Sequence, residues 1–124
     1  MKVNIGKYKE DRKIEVKIHG YDVWNLDHTL ALVIYPALLK LKEQKHGSPQ
    51  VDNEDVPEEI HGVIDDMMND DKVHEKWTWV IDEMIFAFGY IASTDNPHIK
   101  DKVIEERVEN GLRLFGKYYR SLWD

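Results

Sequence analysis

Two stretches of this chain, residues 26–41 and 77–92, are apolar on nearly every side when wound as α-helices, and only 124 residues are available to cover them. In the first, Leu26, Leu30, Val33, Ala37 and Leu41 form one stripe while Leu32, Tyr35 and Leu39 form another. In the second, Trp77, Ile81, Met84 and Phe88 line one face, with Trp79, Phe86 and Tyr90 elsewhere. A helix with a single apolar stripe lies on a core, whereas one that is apolar all round must be enclosed. Two such helices exceed what a chain of this length easily encloses, so a homo-oligomer is expected, its interface resembling a bisected core. The sequence has no cysteine, which excludes disulfides, thiolate nucleophiles and sulfur-bound zinc.

The remaining elements follow from periodicity and punctuation. Val3 and Ile5, then Ile14, Val16 and Ile18, alternate with polar neighbours around the polar stretch 9–13, which predicts a β-hairpin over 1–20. Two strands are not stable alone, so this ribbon must lie on helices or on a second copy of itself. Helices are predicted over 25–46, 57–68, 72–92 and 97–120. Asn25 stands at the first N-cap and Gly47 past the end, with Pro36 inside as a kink that frees the Leu32 carbonyl. Asp55 and Glu58 resemble a capping box before a short helix that would turn Ile60, Val63, Ile64 and Met67 inward. Asp70 or Asp71 would cap the third helix, and Asn96 with Pro97 would start the fourth. That fourth helix would bury Ile104, Val108, Leu112, Phe115, Tyr119 and Leu122. The fold class is mainly α (α+β): an N-terminal hairpin followed by a three- to four-helix bundle in one domain, 1–124.

Charge is unevenly spread. The net charge is −7, yet residues 52–75 hold ten acids (Asp52, Glu54, Asp55, Glu58, Glu59, Asp65, Asp66, Asp70, Asp71 and Glu75) against Lys72, leaving the rest of the chain mildly basic. General nucleic-acid binding is therefore not expected. No membrane partner is expected either, and no secretory signal is readable in residues 1–17, where polar and apolar residues alternate.

Candidate chemistry is sparse. No H-x-x-x-H or H-E-x-x-H spacing is present, and Asp52-Asn53-Glu54-Asp55 lacks the glycine and terminal glutamate of a calcium loop. Glu105, Glu106 and Glu109 supply only the first half of the paired acidic motif of helical nucleotide pyrophosphatases. Ser48, Ser93 and Ser121 sit in no nucleophile elbow. Asp82 and Glu83, inside an apolar helix, call for solvent or a basic partner such as Arg107 or Arg113. With no complete catalytic constellation, no catalytic residue, metal ligand or cofactor is assigned. The best binding candidate is the last helix. Arg113, Lys117 and Arg120 are spaced i, i+4, i+7, with Asn110 extending the line and Tyr118 and Trp123 nearby, a mixture suited to holding phosphate and stacking a base. Glu83 is a further ligand-contacting candidate. Gly111 and Gly116 interrupt this helix, at roughly 1 kcal/mol each relative to Ala, and would allow a close approach by a helix or a ligand.

Several long runs carry a family resemblance. They are Tyr21, Asp22, Trp24, Asp27, Thr29, Leu30 and Ala31; Lys45, His46, Gly47 and Pro49, continuing with Val51, Asp52, Glu54, Asp55, Val56, Pro57 and Glu58; Trp77, Trp79, Val80, Asp82, Glu83, Met84, Ile85, Ala87 and Phe88; and Asn110, Gly111 and Arg113–Tyr119, closing on Leu122-Trp123-Asp124. Together they resemble a recurring family of small proteins of tailed bacteriophages, from Tyr21 onward and excluding 65–72. The resemblance implies work in the cytoplasm of an infected bacterium and brings no activity to carry over. The expectation is a non-catalytic phage accessory protein that captures a small anionic, nucleotide-like host metabolite or immune signal. The alternatives are an acidic interaction protein inhibiting a host nucleic-acid enzyme, and a metal-dependent nucleotide hydrolase using Asp82, Glu83 and His28.

Overall fold

Alternation at period two produces the hairpin where expected. In the computed structural model, which describes residues 1–67, 69–93 and 101–124, β1 (Lys2–Ile5) pairs antiparallel with β2 (Ile14–Lys17), in the register Val3↔Val16 and Ile5↔Ile14. A 3-10 turn at Gly20–Val23 leads into α1 (Leu26–Gln44). Two further 3-10 turns, at Asn53–Asp55 and Glu58–Ile60, punctuate an otherwise irregular connector before α2 (Val73–Ser93). The chain closes with α3 (Lys102–Lys117) and a last 3-10 turn at Tyr119–Ser121. The protein is mainly α with a small β part, and α2 is its central helix, packed between α1 and α3.

The core is built on α2. Trp77, Ile81 and Met84 are fully buried and Phe88 nearly so, the stripe read from the sequence; Val80 and Ala87 widen it. For α1 the stripes read from the sequence are not the buried ones. Leu26, Leu30 and Val33 are exposed on one side and Leu32 and Leu39 on the other, while Ala31 and Leu38 between them are buried against α2. A helix apolar all round has no preferred direction of its own, so its partner selects the face. α1 runs through Pro36 as one helix. Asn25 occupies the N-cap position with its carbonyl, which accepts the Thr29 N–H at 3.0 Å, rather than with its side chain. The helix ends at Gln44, with Lys45 as its C-cap two residues before Gly47.

The helix expected over 57–68 does not form. Asp55, the intended cap, is engaged by α3. Gly62 is fixed to Asn53 through both its N–H and its carbonyl, and Asp65 accepts the N–H groups of Met67 and Asn69, diverting the backbone from helical pairing. Ile64 makes an isolated bridge with Asp70. Val63 and Met67, expected inward, are instead 77% and 82% exposed.

α3 starts one residue after Asp101, whose side chain accepts the N–H groups of Val103 and Ile104; the caps expected at Asn96 and Pro97 lie outside the described residues. Its buried line is Val108, Gly111 and Leu114, continuing to Tyr118 just past its end, so Leu112 and Tyr119, expected inside, are exposed. Gly111 decides this. A Cβ there would stand 2.5 Å from the Glu83 carbonyl oxygen and 2.6 Å from Ala87 Cβ, so α2 and α3 meet where a side chain is missing. Gly116 has open space around it and plays no such part.

Candidate functional site

The basic line of α3 meets the acidic connector, and the meeting point is Asp55. The Asp55 carboxylate is almost fully buried. Tyr118 Oη donates to its Oδ2 at 2.6 Å, Lys117 Nζ stands 2.6 Å from the same oxygen, and Arg113 Nη1 lies 3.0 Å from Oδ1. Lys117 also reaches Asp52 at 2.8 Å and Glu54 at 3.5 Å. Tyr118 Oη accepts the Asp52 N–H at 3.1 Å, and its ring meets Trp77 edge-on at 6.0 Å.

Burial pushes the Asp55 carboxyl up, but the hydrogen bonds from Lys117, Tyr118 and Arg113 outweigh it and hold the group below the usual carboxylate value. The Tyr118 phenol is pushed up to about 12, by burial first and then by its bond to Asp55. Hydrogen bonds to Asp52 and Asp55 raise the Lys117 ammonium, keeping it charged. Asp52, Glu54 and Asp55 also form a group of three carboxylates close enough to share a cation among the described residues. Lys117 Nζ touches all three and supplies that charge.

The six residues expected to bind a ligand are thus only partly brought together. Arg113, Lys117 and Tyr118 converge, but on a carboxylate of their own chain, and Tyr118 is buried rather than open to a base. Asn110 accepts Arg113 Nε at 2.9 Å and joins the same network. Arg120 is exposed and makes no ion pair among the described residues. Glu83 lies apart. It binds Arg107 through Nε at 3.1 Å and Nη2 at 2.7 Å, and the guanidinium stacks 3.7 Å from the Phe86 ring centre. Asp82 pairs with Lys42 at 2.6 Å, and His28 Nε2 is 3.0 Å from the Ala92 carbonyl, so Asp82, Glu83 and His28 each have a separate partner. Ser48 Oγ and His74 Nδ1 are 2.7 Å apart, but no carboxylate orients that imidazole among the described residues.

The chain matches no family model, no curated protein and no solved structure. No helix among the described residues is long and apolar enough to cross a membrane.

Sequence reasoning missed the fully buried pair of Lys76 and Asp70. Asp70 also accepts the Lys72 N–H at 2.8 Å, placing its carboxylate at the start of α2. A Cβ on Gly62 would coincide with that carboxylate, so the connector closes over the pair only with glycine there. The signal was present in the spacing: Lys76, Val80, Met84 and Ala87 share one helical face.

What remains free for a partner is the connector's outer surface. Of the ten acids in 52–75, only Asp55 and Asp70 are buried; among the exposed eight, Asp52 and Glu54 pair with Lys117 and Glu75, on α2, pairs with Lys72, while Glu58, Glu59, Asp65, Asp66 and Asp71 make no ion pair among the described residues, with Val63 and Met67 exposed between them.

Proposed function

We propose that this is a non-catalytic interaction protein that works as a homo-oligomer and presents its acidic connector to a basic, nucleic-acid-handling partner protein. One observation carries the reading. Seven acids stand exposed on an irregular segment two of whose apolar side chains, Val63 and Met67, also face water, while Arg113 and Lys117 of α3 are engaged within the chain. Aligned negative charge attracts a surface that ordinarily holds phosphates, and exposed apolar side chains at its centre supply contact area. The phage resemblance would place this partner in an infected bacterial cytoplasm.

Capture of a nucleotide-like anion at Arg113, Lys117 and Tyr118 stands second. It is favoured by the way these three donors already converge on one carboxylate, and it requires the ligand to displace Asp55.

The test is capture of purified bacterial DNA-binding enzymes, with duplex DNA as competitor. A variant combining Glu58→Gln, Glu59→Gln, Asp65→Asn, Asp66→Asn and Asp71→Asn leaves the buried Asp55 and Asp70 untouched. An enzyme held by wild type should be released by added DNA and by raised salt, and its affinity for the variant should fall at least tenfold. Equal capture by the variant, or capture indifferent to DNA, would sink the reading.

A further inference from the structure

Asp55 receives three side-chain donors on two oxygens, and the fit is uneven. Lys117 Nζ and Tyr118 Oη share its Oδ2, each at 2.6 Å. Arg113 gives Oδ1 only Nη1, at 3.0 Å, because its Nε is turned to Asn110 Oδ1 at 2.9 Å. Beside them Trp77 is fully buried, its ring edge-on to Tyr118, and its Nε1 donates to no acceptor among the described residues. A buried donor left unpaired is costly, so this end of the core holds one donor more than Asp55 satisfies. The clamp also opens to solvent on one side: the Asp55 side chain is 3% exposed, but that of Arg113 is 50% exposed and that of Lys117 33%.

We infer that Asp55 is the built-in occupant of a phosphate-binding site, and that a phosphate group entering from the Arg113 side displaces it and frees the 3-10 turn Asn53–Asp55 from α3. The inference deepens the second reading above, anion capture at α3, by naming the anion and the regulation that follows. A phosphate offers a separate oxygen to each of Arg113, Lys117 and Tyr118, with charge-assisted bonds to the two cations, and it carries up to two charges where Asp55 carries one. Glu54 stands on the same turn as Asp55, so the two acids leave together and only Asp52 still faces Lys117. A group tethered through a short stretch of chain competes at an effective concentration on the order of millimolar. Free phosphate must reach that range to enter, and removing the Asp55 carboxylate must tighten its binding.

Titrations with inorganic phosphate at constant ionic strength are followed by NMR at the Trp77 indole N–H, and cleavage after Glu54 by a glutamate-specific protease is timed in parallel. Wild type should bind in roughly the millimolar range and Asp55→Ala about tenfold tighter or more, since the tethered competitor is gone; adding Lys117→Ala should cancel that gain. Phosphate should speed cleavage of wild type severalfold, and formate should not. If Asp55→Ala does not fold unaided, phosphate should restore its helical circular dichroism, and a variant that stays unfolded in phosphate overturns the site. A nucleoside 5′-monophosphate run beside inorganic phosphate separates the sources: equal affinities support a free anion, tighter binding of the nucleotide a phosphate ester. Absence of phosphate binding in both wild type and Asp55→Ala overturns this inference and anion capture together. Phosphate that binds Asp55→Ala no more tightly than wild type, or that leaves cleavage unchanged, overturns the displacement and leaves capture standing. Neither result bears on the partner assay for the connector, which contains no phosphate.

Discussion

Asp55 is the residue on which the connector depends, and its three partners differ in kind. Arg113 and Lys117 bring charge, whereas Tyr118 brings a neutral donor from inside the core, its ring against Trp77. Tyr118 therefore gives the network a signature that can be read directly. Its phenol is pushed up to about 12, above the ordinary value near 10. Because the folded value is the higher one, the stability it contributes is complete below the unfolded value and is lost as pH rises through the folded one. In an alkaline titration followed by tyrosinate absorbance, one of the tyrosines should ionise about two pH units late, and Tyr118→Phe should abolish that late step. A titration of wild type with every tyrosine ionising near 10 would contradict the assignment. Trp77 Nε1, buried beside this network, has no acceptor among the described residues.

At the scale of elements, the contact of α2 with α3 is set by the absence of a side chain. Gly111 lets the Glu83 carbonyl and Ala87 come close, and since the nearest atom is backbone, no rotamer change can make room. Gly111→Ala should destabilise the protein by about 2 kcal/mol, the range for overpacking a tight contact. Gly116→Ala, in open space on the same helix, should stabilise it by roughly 0.5–1 kcal/mol through propensity. Urea denaturation of the two variants checks both, and a similar sign for the pair would refute the contact. The start of α2 shows a different logic. Asp70 and Lys76 are fully buried together, with Gly62 closing over them, and a buried pair of this kind stabilises less than it specifies. It fixes where the irregular connector ends and the helix begins.

For the molecule as a whole, two buried carboxylates join the connector to the helices. Burial raises both Asp55 and Asp70, and in each case the hydrogen bonds received, from Lys117, Tyr118 and Arg113 or from Lys76 and Lys72, bring the net value below normal. A depressed folded value means that the stabilisation is complete above the unfolded value of about 3.9 and is lost as pH falls through the folded one. The urea midpoint should therefore hold at neutral pH and drop below about pH 4. Asp55→Asn, weaker than wild type at pH 7, should differ from it progressively less as pH falls below about 4. A constant gap between the two proteins across this range would show that the Asp55 network does not titrate with folding.

Much of the architecture was legible from residue pattern. Alternation marks the hairpin, the Trp77, Ile81, Met84, Phe88 line marks the buried face of α2, and the basic partner foreseen at Arg107 appears on Glu83, whereas Asp82 takes Lys42, which was not foreseen. These depend on local periodicity or on the price of an unpaired charge, both properties of the sequence itself. The buried faces of α1 and α3, the irregular path of 57–68 and the fate of the basic line were decided by tertiary contact. α1 is apolar all round and took its direction from α2; α3 turned toward the gap at Gly111; and the connector chose a carboxylate clamp over a helix. The same clamp drew Arg113, Lys117 and Tyr118 onto Asp55, though only Tyr118 is buried. Charge and spacing identify side chains able to hold an anion, but only the packed chain determines which anion reaches them first, and here Asp55 is tethered beside them.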